Sequence, residues 1–199
     1  MVLTDPLAAG ARPLEKVIEA ALAAGATAIQ LRDKQAGTGE LLPLARRLRE
    51  RCHAHGALFL VNDRLDLALA SGADGVHVGQ DDLPAGEVRA VAPPGFVIGV
   101  SAETPALAIR AQRDGADYVG CGPVWATESK ADAGVAIGLS GVASVVRAVR
   151  IPVVAIGGIT PERVQGLLSE GAAGVAVIRA VLAASDPSAA ARGLLRPIR

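Results

Sequence analysis

The feature that most restricts the fold of this chain is a segment that occurs four times. Each copy holds the end of an alanine- and leucine-rich stretch, then a glycine, an alanine and a short run of β-forming residues. The copies are residues 23–32, 70–79, 113–122 and 169–178. A glycine in this place is typical of a helix that ends in the left-handed conformation and leads directly into a strand. The sequence therefore predicts four such turns, whose glycines are Gly25, Gly72, Gly115 and Gly171.

Further β-type runs and helical stretches lie between the copies. The β-type runs are 2–4, 57–61, 96–100 and 152–156. The helical stretches are 12–24, 38–54, 104–113, 140–149 and 161–170. About eight strands that alternate with about eight helices predict a parallel sheet closed into a (β/α)8 TIM barrel, and we expect one domain over residues 1–199. An open doubly wound sheet is the alternative, which the evenness of the repeat disfavours.

Composition restricts the class of protein. Hydrophobic residues make up 51% of the chain but aromatic residues only 2%, as is typical of parallel strands buried on both faces. Lys and Arg balance Asp and Glu at 20 each, so no basic field favours nucleic acid. The two cysteines, the absence of a signal peptide and the short apolar runs predict a soluble cytoplasmic protein with no membrane segment. A homo-oligomer is possible.

Charged side chains follow the predicted strands, at the ends where barrel enzymes place their chemistry. Arg32, Lys34 and Lys130 are cations on different loops, and guanidinium and ammonium groups together suit phosphate oxygens. Asp63 and Asp82 are carboxylates at neighbouring strand ends. Mg²⁺ takes one or two carboxylates together with phosphate oxygens and water. The set therefore predicts a site for a pyrophosphate group with Mg²⁺.

Each member of this set also has a structural alternative. The cations could pair with neighbouring acids such as Asp33. Asp63 and Asp82 could each cap the helix that follows them. Asp81 stands beside Asp82, so either of the two could be the ligand.

A second phosphate signal lies after the seventh and eighth strands. The amides of Gly157–Gly158 can approach an anion closely, and Thr160 then caps a helix. Ile178–Arg179 precedes another short helix. Barrels of this kind commonly hold a phosphate on backbone amides here, and a plain tight turn is the alternative. A reaction that joins a pyrophosphate ester to a phosphate ester would need both subsites.

Other polar residues are weaker candidates. Cys52, His53 and His55 suggest a metal site, but one helical turn offers too few ligands. His77 lies within a strand and is expected to be a packed, hydrogen-bonded histidine rather than a base. Cys121 is expected to line the site.

Taken together, these segments resemble the thiamine-phosphate synthase family. The matching pieces are LTDP, QLRDK, ND, GVHVGQDDLP, GVS, DYVGCGPVWATESKADAG, PVVAIGGITPE and GVAVI. They follow the family's order from residue 3 to residue 178. The resemblance implies a barrel transferase that joins hydroxymethylpyrimidine diphosphate to thiazole phosphate and releases pyrophosphate.

The resemblance also implies roles for single residues. Those implied to hold the pyrimidine diphosphate are Gln30, Arg32, Lys34, Asn62 and Lys130. Ser101 is implied to bind substrate at the reacting centre. Those implied to act in catalysis are Arg32, Ser101 and Lys130. Mg²⁺ is implied on Asp63 and Asp82. Those implied to hold the thiazole phosphate are Thr127 and Ser129, with the amides of Gly158, Ile178 and Arg179.

The chain departs from the family's pattern at four positions. It has Glu103 where His is frequent, Ala126 for Pro, Ser129 for Thr and Arg179 for a small residue. A paralogous branch resembling thiazole tautomerase places a His in the loop after the sixth strand, where this chain reads CGPVW. A ligand sensor without catalysis is a further alternative. The loop over 124–136 is expected to close over bound substrates.

Overall fold

The computed structural model describes residues 1–127, 129 and 134–198, and its centre is an eight-stranded parallel sheet. The strands are β1 Val2–Leu3, β2 Ala28–Leu31, β3 Leu58–Asn62, β4 Gly75–Val78, β5 Val97–Ser101, β6 Tyr118–Cys121, β7 Val153–Ile156 and β8 Gly174–Ala176. Each strand pairs in parallel with the next along the chain. Sequential parallel pairing needs a crossover between strands, which the helices supply.

The sheet closes on itself between its first and last strands. Val2 pairs with Val177, the Leu3 amide donates to the Val177 carbonyl at 2.9 Å, and the Val177 amide donates to the Met1 carbonyl at 3.2 Å. The predicted (β/α)8 barrel is therefore confirmed, and the open-sheet alternative is wrong.

Helices surround the barrel. They are α1 Pro6–Ala9, α2 Leu14–Ala23, α3 Thr38–Ala54, α4 Leu65–Ser71, α5 Ala85–Val91, α6 Pro105–Arg113, α7 Gly138–Ala148, α8 Pro161–Ser169, α9 Arg179–Leu182 and α10 Pro187–Leu195, followed by a 3₁₀ turn at Arg196–Ile198. α10 contacts both α2 and α8, so it completes the outer ring. In the part of the chain that the structure describes, no helix has the length and apolar character to cross a bilayer.

The four repeated turns have the predicted conformation. Gly25, Gly72, Gly115 and Gly171 all have positive φ, between 71° and 104°. In the first copy, the Ala26 amide donates to the Ala21 carbonyl at 3.0 Å, and the other copies repeat this bond at 2.9–3.1 Å. This pattern ends a helix at a left-handed residue and satisfies a carbonyl that the helix leaves open. The alanine after each glycine is buried and starts the approach to the next strand.

Alternating strand residues build two layers around the barrel. Those that face the helices are apolar, and five of them with no exposed surface are Ile29, Phe59, Val76, Ile98 and Val119. Burying each such side chain contributes about 1.5–3 kcal/mol. The residues between them face the barrel interior, where Gln30 and His77 bring polar groups into an otherwise buried space.

The repeated turn gives a stability prediction. Gly171→Ala should lower the free energy of unfolding by about 1–2 kcal/mol, because φ is 89° and the new Cβ would lie 2.8 Å from Val146 Cγ1. Thermal denaturation should then show a Tm loss of roughly 2–4 °C per kcal/mol. Gly174→Ala is the matched control, since its Cβ would meet no atom within 4 Å. Equal Tm losses in the two variants would contradict the left-handed turn as the cause.

Candidate active site

One cavity of about 1390 Å³ opens at the mouth of the barrel, where the carboxyl ends of the strands meet. It is lined by all the site residues predicted from the sequence that the structure describes. They are Gln30, Arg32, Lys34, Asn62, Asp63, Asp82, Ser101, Thr127, Ser129, Gly158, Ile178 and Arg179. Lys130 lies outside the described residues, as does part of the 124–136 loop, so the role of Lys130 and the loop closure stay predictions.

Arg32 is held at the end of β2 by an acid that the sequence did not point to. Its Nη1 lies 3.1 Å from Asp5 Oδ2, and the two side chains are only 12% and 15% exposed. The alternative that Arg32 forms a salt bridge with an acid is therefore confirmed, but the acid is Asp5. Asp33 instead accepts from the amides of Gln35 and Ala36 at 2.8 and 3.0 Å. The available signal was the position of Asp5, directly after the first strand. Arg32 is therefore fixed toward the mouth before any ligand binds.

Two carboxylates, Asp63 and Asp82, lie beside each other on one side of the mouth. Burial and the neighbouring Asp82 raise the pKa of Asp63 to about 6, while the positive charges of Lys34 and Arg32 act in the opposite direction. In this arrangement a proton shared between the carboxylates offsets their repulsion. A divalent cation would remove the same repulsion more completely, so the pair has the chemistry of a metal site.

The backbone places Asp63 for this role. Asp63 has φ 63°, and in the described residues it is the one non-glycine residue with positive φ. Its amide donates to the His77 carbonyl at 2.7 Å. The capping alternative is wrong, because Arg64 is the N-cap residue of α4. A left-handed residue costs conformational energy unless its surroundings fix it, which is typical of functional positions.

Asp82 is held by its own turn. Its Oδ2 accepts from the Gly79 amide at 2.7 Å. It does not cap α5, whose N-cap residue is Pro84. Asp82 is partly buried beside Asp63, whereas Asp81 is exposed. The geometry therefore favours Asp82 over Asp81 as the partner of Asp63.

The carboxylate pair suits a cation that takes few protein ligands. Within residues 1–127, 129 and 134–198, no three His, Cys, Asp or Glu side chains cluster as a metal cage would require. Mg²⁺ commonly binds through one or two carboxylates and completes its shell with water and substrate phosphate. The residues present fit that mode of binding.

The opposite side of the mouth offers backbone amides. Gly157 and Gly158 have φ of 100° and 65°, and a Cβ on Gly158 would lie 2.7 Å from Trp125 Cβ. Among the described residues, the amides of Gly158, Ile178 and Arg179 donate to no protein acceptor. These three residues line the cavity, so their amides are available to an anion that binds there. Whether they hold a phosphate or only form tight turns stays a prediction.

Arg163 of α8 joins the loops that follow β6 and β7. Its guanidinium lies over the Trp125 ring, 4.6 Å from the centroid, and it donates to the Gly158 carbonyl. Thr160 occupies the N-cap position of α8 as predicted, but its side chain makes no capping hydrogen bond. Nothing in the local sequence pattern signals the Arg163 contact, which depends on how the two loops meet.

A chain of hydrogen-bonding side chains lies beneath the mouth. His77 Nε2 is 2.9 Å from Ser101 Oγ, and His77 Nδ1 is 2.9 Å from Tyr118 Oη. His77 and Tyr118 are 9% and 8% exposed. The prediction that His77 is a packed, hydrogen-bonded histidine is confirmed.

The remaining candidates lie apart from the cavity. His53 and His55 each pair with an acid on a neighbouring element, and no metal site joins them to Cys52. Burial raises the pKa of both Cys52 and Cys121 to about 12. Cys121 packs between the barrel and the helices, so the expectation that it lines the site is wrong.

Comparison with known proteins shows which family the chain belongs to. The profile of the family described as thiamine monophosphate synthase matches residues 1–181. The thiamine-phosphate synthase of Moorella thermoacetica is 51% identical over 194 residues, which are 98% of this chain and 92% of that protein. The thiamine-phosphate synthase of Methanocella arvoryzae is 55% identical over 174 residues, 87% of this chain and 82% of that protein.

The fold leads to the same family. The structure of thiamine phosphate pyrophosphorylase from Pyrococcus furiosus superposes with a TM-score of 0.91 at 41% identity, covering 99% of this chain and 93% of that one. The resemblance that the motifs suggested is confirmed. This chain belongs to the thiamine monophosphate synthase family.

Proposed function

We propose that this protein joins a hydroxymethylpyrimidine diphosphate to a thiazole phosphate, forming thiamine phosphate and releasing pyrophosphate. The observation that carries the proposal is the single cavity with two different anion subsites. One subsite has the cations and carboxylates after β2, β3 and β4, and the other has the unused amides after β7 and β8. A reaction between a diphosphate and a phosphate needs this pairing.

The first subsite suits the leaving group. Arg32 offers a fixed guanidinium fork and Lys34 a compact charge, and both can bind diphosphate oxygens. Mg²⁺ held by Asp63 and Asp82 would add positive charge where the diphosphate becomes more negative. Because Arg32 is already oriented by Asp5, little reorganisation accompanies the development of charge.

The bond changes follow from this charge arrangement. The C–O bond between the pyrimidine methylene and the diphosphate breaks, and its electron pair leaves with the pyrophosphate. The resulting pyrimidine-methyl cation is stabilised by its own ring. The lone pair of the thiazole nitrogen then forms the new C–N bond, so the protein needs to hold the two substrates in contact rather than supply a nucleophile.

The second subsite suits the thiazole phosphate. Its donors are the amides of Gly158, Ile178 and Arg179, with hydroxyls from Thr127 and Ser129, whose amide donates to Thr127 Oγ1 at 3.2 Å. Arg179 is exposed at the rim of the cavity. Its guanidinium adds a positive charge where the family usually has a small residue, so we propose that it strengthens phosphate binding.

The alternatives receive less support. A thiazole tautomerase-like role would use a histidine after β6, and that loop has none in its sequence CGPVW. A ligand sensor without catalysis would have no use for a carboxylate pair whose charges repel each other. We also propose a cytoplasmic location, in keeping with two cysteines that are both free and buried.

The activity itself is tested with purified protein, both substrates and Mg²⁺. Pyrophosphate and thiamine phosphate should appear in equal amounts, and leaving out either substrate should abolish both. Pyrophosphate without thiamine phosphate would indicate hydrolysis, and the absence of both products would contradict the proposal.

Substitution of Lys34 should reduce activity through the loss of its charge and not through a loss of stability. Lys34→Ala should lower kcat/KM for the pyrimidine diphosphate roughly 10- to 150-fold, the range for one charge-assisted hydrogen bond of about 1.5–3 kcal/mol. Its Tm should change little, because charge interactions of an exposed side chain contribute at most about 1 kcal/mol. Lys16→Ala is the control, since Lys16 is equally exposed but lies on α2 outside the cavity. Equal activity of the two variants would contradict the diphosphate assignment.

The carboxylate pair predicts how pH and Mg²⁺ act on stability. The folded state raises the pKa of Asp63 from 3.8 to about 6, so it holds a proton that the unfolded state releases. Stability of the metal-free protein should therefore fall as pH rises through this window. Mg²⁺ needs the deprotonated pair, so it should raise Tm at about pH 7.5 and much less at about pH 5.

The matched variants for this measurement are Asp63→Asn and Asp81→Asn. Asn accepts the left-handed backbone of position 63 and removes one charge, so Asp63→Asn should lose both the pH-dependent fall in stability and the Mg²⁺ shift. Asp81→Asn should keep both. A Mg²⁺ shift lost in Asp81→Asn and retained in Asp63→Asn would show that the ligand set is wrong.

A further inference from the structure

The interior of the barrel beneath the cavity contains two polar rings where aliphatic side chains would be the simpler filling. His77 and Tyr118 are each at least nine-tenths buried, and their ring centroids are 5.4 Å apart. Glycines in the neighbouring strands make the space. A Cβ on Gly99 would lie 2.1 Å from Tyr118 Cζ, and a Cβ on Gly120 would lie 2.8 Å from His77 Cε1.

The strand register places these groups in one row. His77 is opposite Gly99, Gly99 is opposite Tyr118, and Ser101 is opposite Gly120. The rings therefore extend over the glycines and reach each other across the interior. Buried polar groups are costly unless they are hydrogen-bonded, and this row satisfies them through Ser101, His77 and Tyr118 at 2.9 Å for each step.

The hydrogen of the Tyr118 phenol fixes the direction of this chain. Burial raises the pKa of Tyr118, so the phenol keeps its hydrogen. Gln30 hydrogen-bonds to the phenol in the sense that lowers the pKa of Tyr118, which is that of an amide N–H donating to the phenolic oxygen. Because Gln30 Oε1 accepts from no donor in the described residues, the hydrogen of the phenol itself is directed to His77 Nδ1.

A neutral imidazole has one hydrogen, on one of its two ring nitrogens. If Nδ1 accepts a hydrogen bond, that hydrogen is on Nε2. His77 Nε2–H then donates to Ser101 Oγ. Ser101 accepts this bond and keeps its hydroxyl hydrogen for another partner. Because Ser101 lines the cavity, that hydrogen faces the space where a substrate binds.

We propose that His77 and Tyr118 are positioning residues that fix the Ser101 hydroxyl as a hydrogen-bond donor to the bound pyrimidine diphosphate. This inference rests on the proposed function for the identity of the substrate. It adds to that function an internal relay in which Tyr118 sets the tautomer of His77, and His77 sets the direction of Ser101. The opposite tautomer would make Ser101 donate to His77 and offer the substrate only lone pairs.

The tautomer is measured without any substrate. The chain has three histidines, so ¹⁵N-histidine labelling with assignment through His77→Gln isolates the His77 ring in an NMR spectrum. We expect the Nε2–H tautomer in the wild type and a detectable Nδ1–H form in Tyr118→Phe. An Nδ1–H ring in the wild type, or an unchanged ring in Tyr118→Phe, would overturn the proposal.

The kinetic test is a double-mutant cycle between Tyr118 and Ser101. Tyr118→Phe should lower kcat/KM for the pyrimidine diphosphate roughly 5- to 15-fold, as expected for one neutral hydrogen bond, and should leave the KM for the thiazole phosphate unchanged. In a Ser101→Ala background the same substitution should have no further effect, because Tyr118 acts through Ser101. Additive losses would mean that the Tyr118 hydroxyl acts independently of Ser101 and would overturn the relay.

A comparison at position 77 gives a second measurement. His77→Gln keeps an N–H donor near Ser101 and should retain more activity than His77→Leu, which has none. Equal losses at unchanged Tm would contradict a positioning role. If the wild-type protein forms no thiamine phosphate, the proposed function fails while the tautomer measurement still decides the relay.

Discussion

The hydrogen bonds between the first and last strands are the constraint on which the site depends. They join Leu3 to Val177 and Val177 to Met1. Without them the sheet would be open, and the carboxyl ends of its strands would form a row instead of a ring around one mouth. Closure brings the cationic loop after β2 to the same mouth as the glycine loop after β7. The two proposed anion subsites line one cavity because the sheet has no free edge.

The mouth contains groups that do not stabilise one another fully in the free protein. Asp63 and Asp82 repel each other, and the amides of Gly158 and Ile178 have no protein acceptor in the described part of the chain. These groups are oriented by fixed neighbours, such as Asp5 for Arg32. Binding of the proposed cation and anions would offset the unfavourable charges without a costly rearrangement, as in a preorganised site.

The features that depend on residues close together in the sequence could be predicted. The contacts that depend on how distant strands pair could not. The four left-handed turns follow from local glycine chemistry, and strand alternation placed the candidate residues at one end of the barrel. Asp5 was missed as the partner of Arg32 because 27 residues separate them and only pairing of β1 with β2 brings them together. His77 and Tyr118 are 41 residues apart in the sequence. Their contact depends on the register of three strands, which a local sequence pattern does not predict.

The glycines beneath the cavity have a consequence for how this pocket can change. Gly99 and Gly120 lie under the rings of Tyr118 and His77 at distances that leave no room for a methyl group. A larger residue at either glycine collides with a ring, and a smaller residue in place of either ring leaves a hole inside the barrel. The size of the side chain at a position on one strand therefore limits the size of the side chain on the strand beside it. Any redesign of the interior beneath the cavity must exchange side-chain volume between two strands at once, and single-site libraries will miss the viable combinations.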